Sequence, residues 1–227
     1  MRHISDRSKF VLGLHGYEHY PLPEYVDKMD LECPFEEQRI LRMALRVDGK
    51  NFCFTDDTIW AKPMFDKVLN YQRNIVCVEH SFCYLTIRHG KVTSKTDDEW
   101  HVDGFSTKIT HIPEQNYIWS NTYPTEYVKQ SVVFPFDFNP VKHNINHFLQ
   151  NFVKEENIKS CQNNVIYCLD PYVLHRRPII TEDIVRTFVR ISFVPIEIND
   201  INNTPNPFIP RCYDKDGVKE RNQLTTY

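Results

Sequence analysis

Residues 184–198, Ile-Val-Arg-Thr-Phe-Val-Arg-Ile-Ser-Phe-Val-Pro-Ile-Glu-Ile, change side-chain character at nearly every step. Arg186, Phe188, Arg190, Ser192 and Val194 fall on one face, and Val185, Thr187, Val189, Ile191 and Phe193 on the other. That is the two-residue period of a β-strand. A strand this long, rich in β-branched and aromatic residues, commits the chain to a sheet. From residue 75 onward the chain supplies one. Stretches 75–80, 81–88, 116–120, 123–129, 131–138, 163–169 and 172–177 carry strand composition, and His89-Gly90 reads as a turn. Pro113, Pro124 and Pro135 mark the middle strands as short or edge strands.

Upstream the period differs. Residues 1–30 are mixed and irregular. Stretch 34–45 begins with proline and two acids and continues into strong helix formers, so a helix is expected there, followed by a connection ending near Gly49. A second helix is expected over 63–72, where Met64, Phe65, Val68 and Leu69 form an apolar stripe. A third starts at Asn139-Pro140, a capping residue followed by first-turn proline, with Val141, Ile145, Phe148, Leu149 and Phe152 along one side. The tail after 198 is rich in Asn and Pro and is expected to be irregular. These elements fit an α+β, mainly β protein around an antiparallel sheet sandwich. We expect one domain over 1–227: helical support at 1–74, a β core at 75–198 with a helical insertion at 139–162, and a tail at 199–227.

Composition narrows the function classes. A chain of 227 residues with 41% hydrophobic and 25% charged residues suits one soluble globular domain. A formal charge of −3 gives no general attraction to nucleic acid, so such a partner is not expected. No apolar run reaches the length of a membrane span, and the first residues lack the apolar core of a signal peptide. Seven cysteines with no Cys-x-x-Cys pair argue against a disulfide framework or zinc ribbon and for reduced thiols in a cytoplasm. With only six glycines, no phosphate-cradling loop or dinucleotide fingerprint is found.

The chemistry concentrates in Trp100-His101-Val102-Asp103-Gly104 and in the distant stretch 170–175, which ends in His175. On a strand, His101 and Asp103 point to the same side. With a second histidine they make a two-histidine, one-carboxylate set, which binds Fe(II) on one face and leaves the opposite positions open. Arg190 and Ser192, on one strand face, can hold the far carboxylate of a dicarboxylic acid. Taken singly, each has an ordinary reading: a surface pair for His101 and Asp103, a hydrogen-bonded structural histidine for His175, an ion pair for Arg190.

Taken in order, these residues resemble the Fe(II)/2-oxoglutarate-dependent oxygenase superfamily, over roughly residues 75–198. Its His-x-Asp…His set matches His101, Asp103 and His175, and its Arg-x-Ser matches Arg190 and Ser192. The resemblance implies a double-stranded β-helix (jelly-roll, cupin-like) core with flanking helices and the ligands at one mouth of the barrel. It implies Fe(II) as cofactor, 2-oxoglutarate as co-substrate and dioxygen as oxidant, with most often hydroxylation of a substrate C–H bond; Asp103 in the carboxylate position argues against halogenation. Arg186, four residues before Arg190 on the same face, is a rival anchor for 2-oxoglutarate.

The substrate is expected to be a small polar molecule, an anionic one included, oriented by Arg176 or Arg177 beside the iron. Specificity is expected from loops 91–99 and 105–116 and from the insertion. Trp100, Tyr117, Trp119 and Tyr172 are candidate pocket walls, although aromatic strand residues are core by default. The pair His143 and His147 has helical zinc spacing but lies opposite the apolar stripe and lacks the acid a zinc protease needs. His15 and His19 sit among glycines and a proline and read as surface residues. The alternative readings are a non-catalytic cupin-like module that binds a metal or ligand without oxygen chemistry, and an oxygenase acting on a macromolecule.

Overall fold

The period-two stretches pair into antiparallel sheets, and the apolar stripe expected near residue 63 packs across the larger of them. The computed structural model describes residues 22–92, 99–103, 114–130, 145–169, 173–198, 200 and 202–209. Along these residues run β1 (Glu24–Lys28), β2 (Arg39–Arg46), α1 (Lys62–Tyr71), β3 (Phe82–Val92), β4 (Gln115–Ser120) and β5 (Glu126–Val128). They are followed by α2 (Ile145–Gln150), β6 (Ile158–Ser160), β7 (Val165–Leu169), β8 (His175–Arg176) and β9 (Ile184–Val194). Six strands form one sheet in the order β1-β7-β4-β9-β3-β2, and three form a second in the order β6-β5-β8. Every neighbouring pair is antiparallel.

β9 lies inside the large sheet, paired along its whole length with β3 and over half of it with β4. Its alternation sorts the two faces. Val189, Ile191 and Phe193 join Leu41, Met43, Leu45, Leu85, Ile87, Tyr117 and Trp119 in the main core, against Met64, Phe65 and Val68 of α1. Burying each large apolar side chain of that helix contributes roughly 1.5–3 kcal/mol. The opposite face carries Arg186, Arg190 and Ser192. There Ile118, Leu169 and Val173 form a smaller core with Cys161, and Trp100, Val102, Val128, Leu149 and Leu174 form another beneath α2.

Three expectations are corrected. The stretch expected as a helix over 34–45 contains β2 instead. Leu41, Met43 and Leu45 alternate onto the core face, and pairing with β3 from Arg39↔His89 to Arg46↔Cys83 overrides helix propensity. With β1 also a strand, the 1–74 support is not mainly helical among the described residues. Second, residues 75–80 do not form a strand. The chain leaves α1 through a π-turn over Gln72–Val76 and reverses at Cys77, whose φ of 57° is left-handed.

Third, His89-Gly90 is not a turn but lies within β3, where Gly90 faces Arg186 across the ladder. Its φ is +136°, and a Cβ there would meet the Cα of Gln38 at 3.0 Å. The glycine marks a close approach of backbone to backbone rather than a reversal. The start of the third helix, strand 131–138, His15, His19, His143 and Tyr172 lie outside the described residues, as do most of loops 91–99 and 105–116. Among the described residues no helix is long and apolar enough to cross a membrane.

Candidate metal centre

His101 and His175 come from segments more than seventy residues apart, yet they pair directly. His101 N–H donates to the His175 carbonyl, and His175 N–H to the His101 carbonyl, each at 3.0 Å. This reciprocal exchange makes an isolated antiparallel bridge beside β8. Residues directly opposite in such a bridge project to the same side, and the two imidazole rings stand 4.4 Å apart, centroid to centroid. The strand expected at Trp100 is reduced to this single bridging residue. Asp103 follows in a turn, close enough for its Oδ2 to lie 3.7 Å from His175 Nε2.

The tautomers follow from hydrogen bonding. His101 Nδ1 lies 2.9 Å from the Glu99 carbonyl oxygen, and His175 Nδ1 lies 2.8 Å from that of Val173. A carbonyl only accepts, so both Nδ1 atoms carry a hydrogen, and in the neutral ring the Nε2 atom is the one left with a lone pair for a metal. Backbone carbonyls two residues upstream thus orient both rings as outer partners orient metal-ligating histidines. Burial, outweighing the opposing pull of Asp103, holds the His175 imidazole below its usual pKa and therefore neutral. Burial alone would raise the Asp103 carboxyl, but in the acidic range where a carboxyl titrates the charges of a protonated His175 and of Arg190 outweigh burial and lower its pKa, so the group is ionised.

One ligand atom from each of His101, Asp103 and His175 lies within 4.8 Å of the others. Donors bound to one ion at about 2.1 Å stand roughly 3–4 Å apart. Two imidazole nitrogens and a carboxylate at this spacing can hold a metal ion.

A second ring of residues surrounds Asp103. Asn116 Nδ2 donates to Asp103 Oδ2 at 2.9 Å and to Glu114 Oε1 at 3.1 Å. The Ser192 hydroxyl donates to Asn116 Oδ1 at 2.6 Å, across a register that sets Asn116 opposite Ser192. Arg190 Nη1 lies 3.7 Å from the same Asp103 Oδ2. Burial and the Asp103 charge push the Glu114 carboxyl up to about 7.

A family model described as "Beta-satellite pathogenicity beta C1 protein" matches residues 100–202. That span carries His101, Asp103, His175, Arg190 and Ser192 but is less than half of the 227-residue chain. None of the curated proteins matches. Among solved structures, AviO1 from Streptomyces viridochromogenes Tue57 is similar at 14% identity over 74% of each chain, with a TM-score of 0.35. At that TM-score the two chains need not share a fold.

The other singled-out residues are dispersed. Arg186 is buried, its Nε donating to the carbonyls of Thr122 and Tyr123 at 3.3 and 3.0 Å, and it is not among the groups that contact the triad. Arg176 pairs with Glu126 at 2.7 Å and lies over the Trp100 ring at 4.4 Å, so these two candidate substrate contacts brace each other behind His101. Arg177 lines a separate cleft with Arg186.

Tyr117 and Trp119 are not pocket walls. Both belong to the core beneath α1, with Tyr117 Oη donating to Gln72 and Trp119 Nε1 to the Met29 carbonyl. His147 is exposed. Glu114, Asn116 and Thr86 escaped the sequence reading, because only strand register brings them to the site.

Proposed function

We propose that the protein is an Fe(II)- and 2-oxoglutarate-dependent oxygenase, built on a double-stranded β-helix, that oxidises a C–H bond of a small polar substrate. His101, Asp103 and His175 hold the metal in this reading. The chemistry that Fe(II) supplies in such a site is activation of dioxygen, coupled to decarboxylation of 2-oxoglutarate to succinate and carbon dioxide. The chain's own residues prepare that chemistry. The Glu99 and Val173 carbonyls fix the imidazole tautomers, and Asn116, oriented by Ser192, holds the carboxylate.

The observation that carries the co-substrate assignment is a pair of unsatisfied donors. Arg190 Nε and Thr86 Oγ1 are buried without a hydrogen-bond partner among the described residues. They are direct neighbours across β3 and β9 and so share one face beside the triad. Buried donors of this kind are costly unless something accepts from them, and the far carboxylate of 2-oxoglutarate offers two acceptor oxygens. Arg190 is therefore favoured over Arg186, whose Nε is already taken by two carbonyls.

The test needs no known substrate. Anaerobic addition of Fe(II) and then 2-oxoglutarate should give a weak visible metal-to-ligand charge-transfer band, and air should then yield succinate. A protein that binds Zn(II) or Mn(II) but gives neither band nor succinate would be the metal-binding module of the alternative reading.

A further inference from the structure

Arg190 and Thr86 lie at one end of the Asp103 neighbourhood, and a carboxyl group lies at the other. Glu114 directly precedes β4, and the two-residue period puts its side chain on the same side of the strand as Asn116. The hydrogen bond from Asn116 Nδ2 to Glu114 Oε1 at 3.1 Å agrees with that side. Gln115 turns to the opposite face, where it accepts from the Cys168 thiol.

Strand register keeps the two ends apart. Asn116 stands opposite Ser192 and Ile118 opposite Arg190, which in turn faces Thr86 on β3. Glu114 is therefore four residues, roughly 13 Å along the strand, from the Arg190–Thr86 row. Asp103, which meets both Asn116 and Arg190, stands between the ends.

Glu114 lacks a cation. Other half-buried carboxylates have one: Glu126 is paired with Arg176 at 2.7 Å, and Asp103 has Arg190 at 3.7 Å. Among the described residues Glu114 forms no ion pair, and the Asn116 amide that donates to it is shared with Asp103. One neutral amide cannot balance two carboxylates. Burial and the Asp103 charge accordingly raise the Glu114 carboxyl to about 7, with Arg190 the least of the opposing pulls. Nor does Glu114 belong to the ligand set, which comprises His101, Asp103 and His175.

We infer that Glu114 receives the ammonium group of a small primary amine, on the side of Asp103 away from Arg190 and Thr86. A carboxylate oxygen makes short, charge-assisted hydrogen bonds with an ammonium, whose three donors can reach Glu114 without displacing Asn116. A further anion would add a third negative group to the two already there. A neutral hydroxyl would leave the charge uncompensated. With the site loaded, a divalent ion and Arg190 carry one charge fewer than Asp103, 2-oxoglutarate and an ionised Glu114, and one ammonium makes up the difference. Arg176 offers no rival anion site, being occupied by Glu126 and the Trp100 ring. Amine binding stands on the chain's own residues; its role as the oxidised substrate rests on the oxygenase reading.

The test is an NMR titration of the metal-free protein in EDTA, at pH 8 and constant ionic strength, with butylammonium and its neutral counterpart 1-butanol. Backbone amides report affinity, and carbon-13-labelled carboxyl groups report location. Butylammonium should shift the Glu114 carboxyl signal and bind at least about tenfold tighter than 1-butanol, the worth of one charge-assisted contact. Glu114→Gln, which keeps an acceptor for Asn116, should remove that preference. Glu156→Gln, at an exposed carboxylate, should change it by less than about twofold.

Three results would overturn the inference: no preference for butylammonium over 1-butanol, a preference that survives Glu114→Gln, or a carboxyl shift centred on Asp103 instead of Glu114. Because metal and 2-oxoglutarate are absent throughout, failure here leaves the charge-transfer test untouched. A missing charge-transfer band would equally leave the amine site standing.

Discussion

Glu114→Gln is the substitution whose sign and pH window the structure fixes most closely. Glu114 is half-buried just before β4, accepts a hydrogen bond from Asn116 Nδ2 at 3.1 Å, and shares that amide with Asp103. Burial and the neighbouring carboxylate raise its pKa from 4.5 to about 7. In the unfolded chain the group ionises near the lower value, so the folded state loses stability as pH rises through the interval and does not regain it above. A displacement of that size corresponds to at most ~3.4 kcal/mol. Water reaching a half-buried group reduces this to ~1–2 kcal/mol.

Glutamine keeps an acceptor for Asn116 and cannot ionise. The variant should therefore be more stable than the parent at pH 8 by ~1–2 kcal/mol, with most of that gain gone at pH 5. Urea denaturation in EDTA at the two pH values measures it. With saturating Zn(II) the gain should shrink, because a cation on Asp103 removes one cause of the raised pKa. An advantage no larger at pH 8 than at pH 5 would mean that Glu114 ionises freely, and the carboxylate pair would not be as described.

Other consequences follow from the same geometry. His101→Ala and Asp103→Ala should each lose metal, measured as bound metal per chain after dialysis, with little change in the far-ultraviolet spectrum; retention of one equivalent by either would refute the ligand assignment. Arg190→Ala should keep metal and weaken 2-oxoglutarate by about 1.5–3 kcal/mol, the worth of a charge-assisted contact. If Arg186→Ala does so instead, the anchor has been assigned to the wrong arginine. Gly90→Ala should destabilise the fold by about 1–3 kcal/mol, through a left-handed φ and a clash with Gln38, and an unchanged urea midpoint would contradict that contact.

The sequence was most legible where one periodicity had no competitor. β9 alternates over its whole length, and both its faces were assigned correctly from residue order. At β2 the first-turn proline, the acids and the strong helix formers of 34–45 favour a helix, and only pairing with β3 decides for a strand. His101 and Asp103 could be picked out because their spacing is local, and the backbone bridge brings His175 to them. Asn116, Glu114 and Thr86 carry no local signal. Asn116 reaches Asp103 because register sets it opposite Ser192, and Thr86 reaches Arg190 in the same way. A one-residue slip would send each to the far side of the sheet.

Register also gives the Arg-x-Ser pair a role toward the candidate metal ligand Asp103. Asp103 Oδ2 faces Asn116 Nδ2 at 2.9 Å and Arg190 Nη1 at 3.7 Å. A half-buried carboxylate with no such company would take up a proton or turn outward. Ser192 donates to Asn116 Oδ1, which forces the amide to present its NH2 to Asp103. Serine therefore acts on the carboxylate through an amide, while Arg190, two residues earlier on the same face, acts by charge. An ion bound between the histidines and Asp103 would take over that neutralisation, leaving Arg190 to an incoming anion. Metal should then tighten 2-oxoglutarate binding at Arg190 even before any bond to the metal is counted, and Arg190→Ala should lose that part of the coupling.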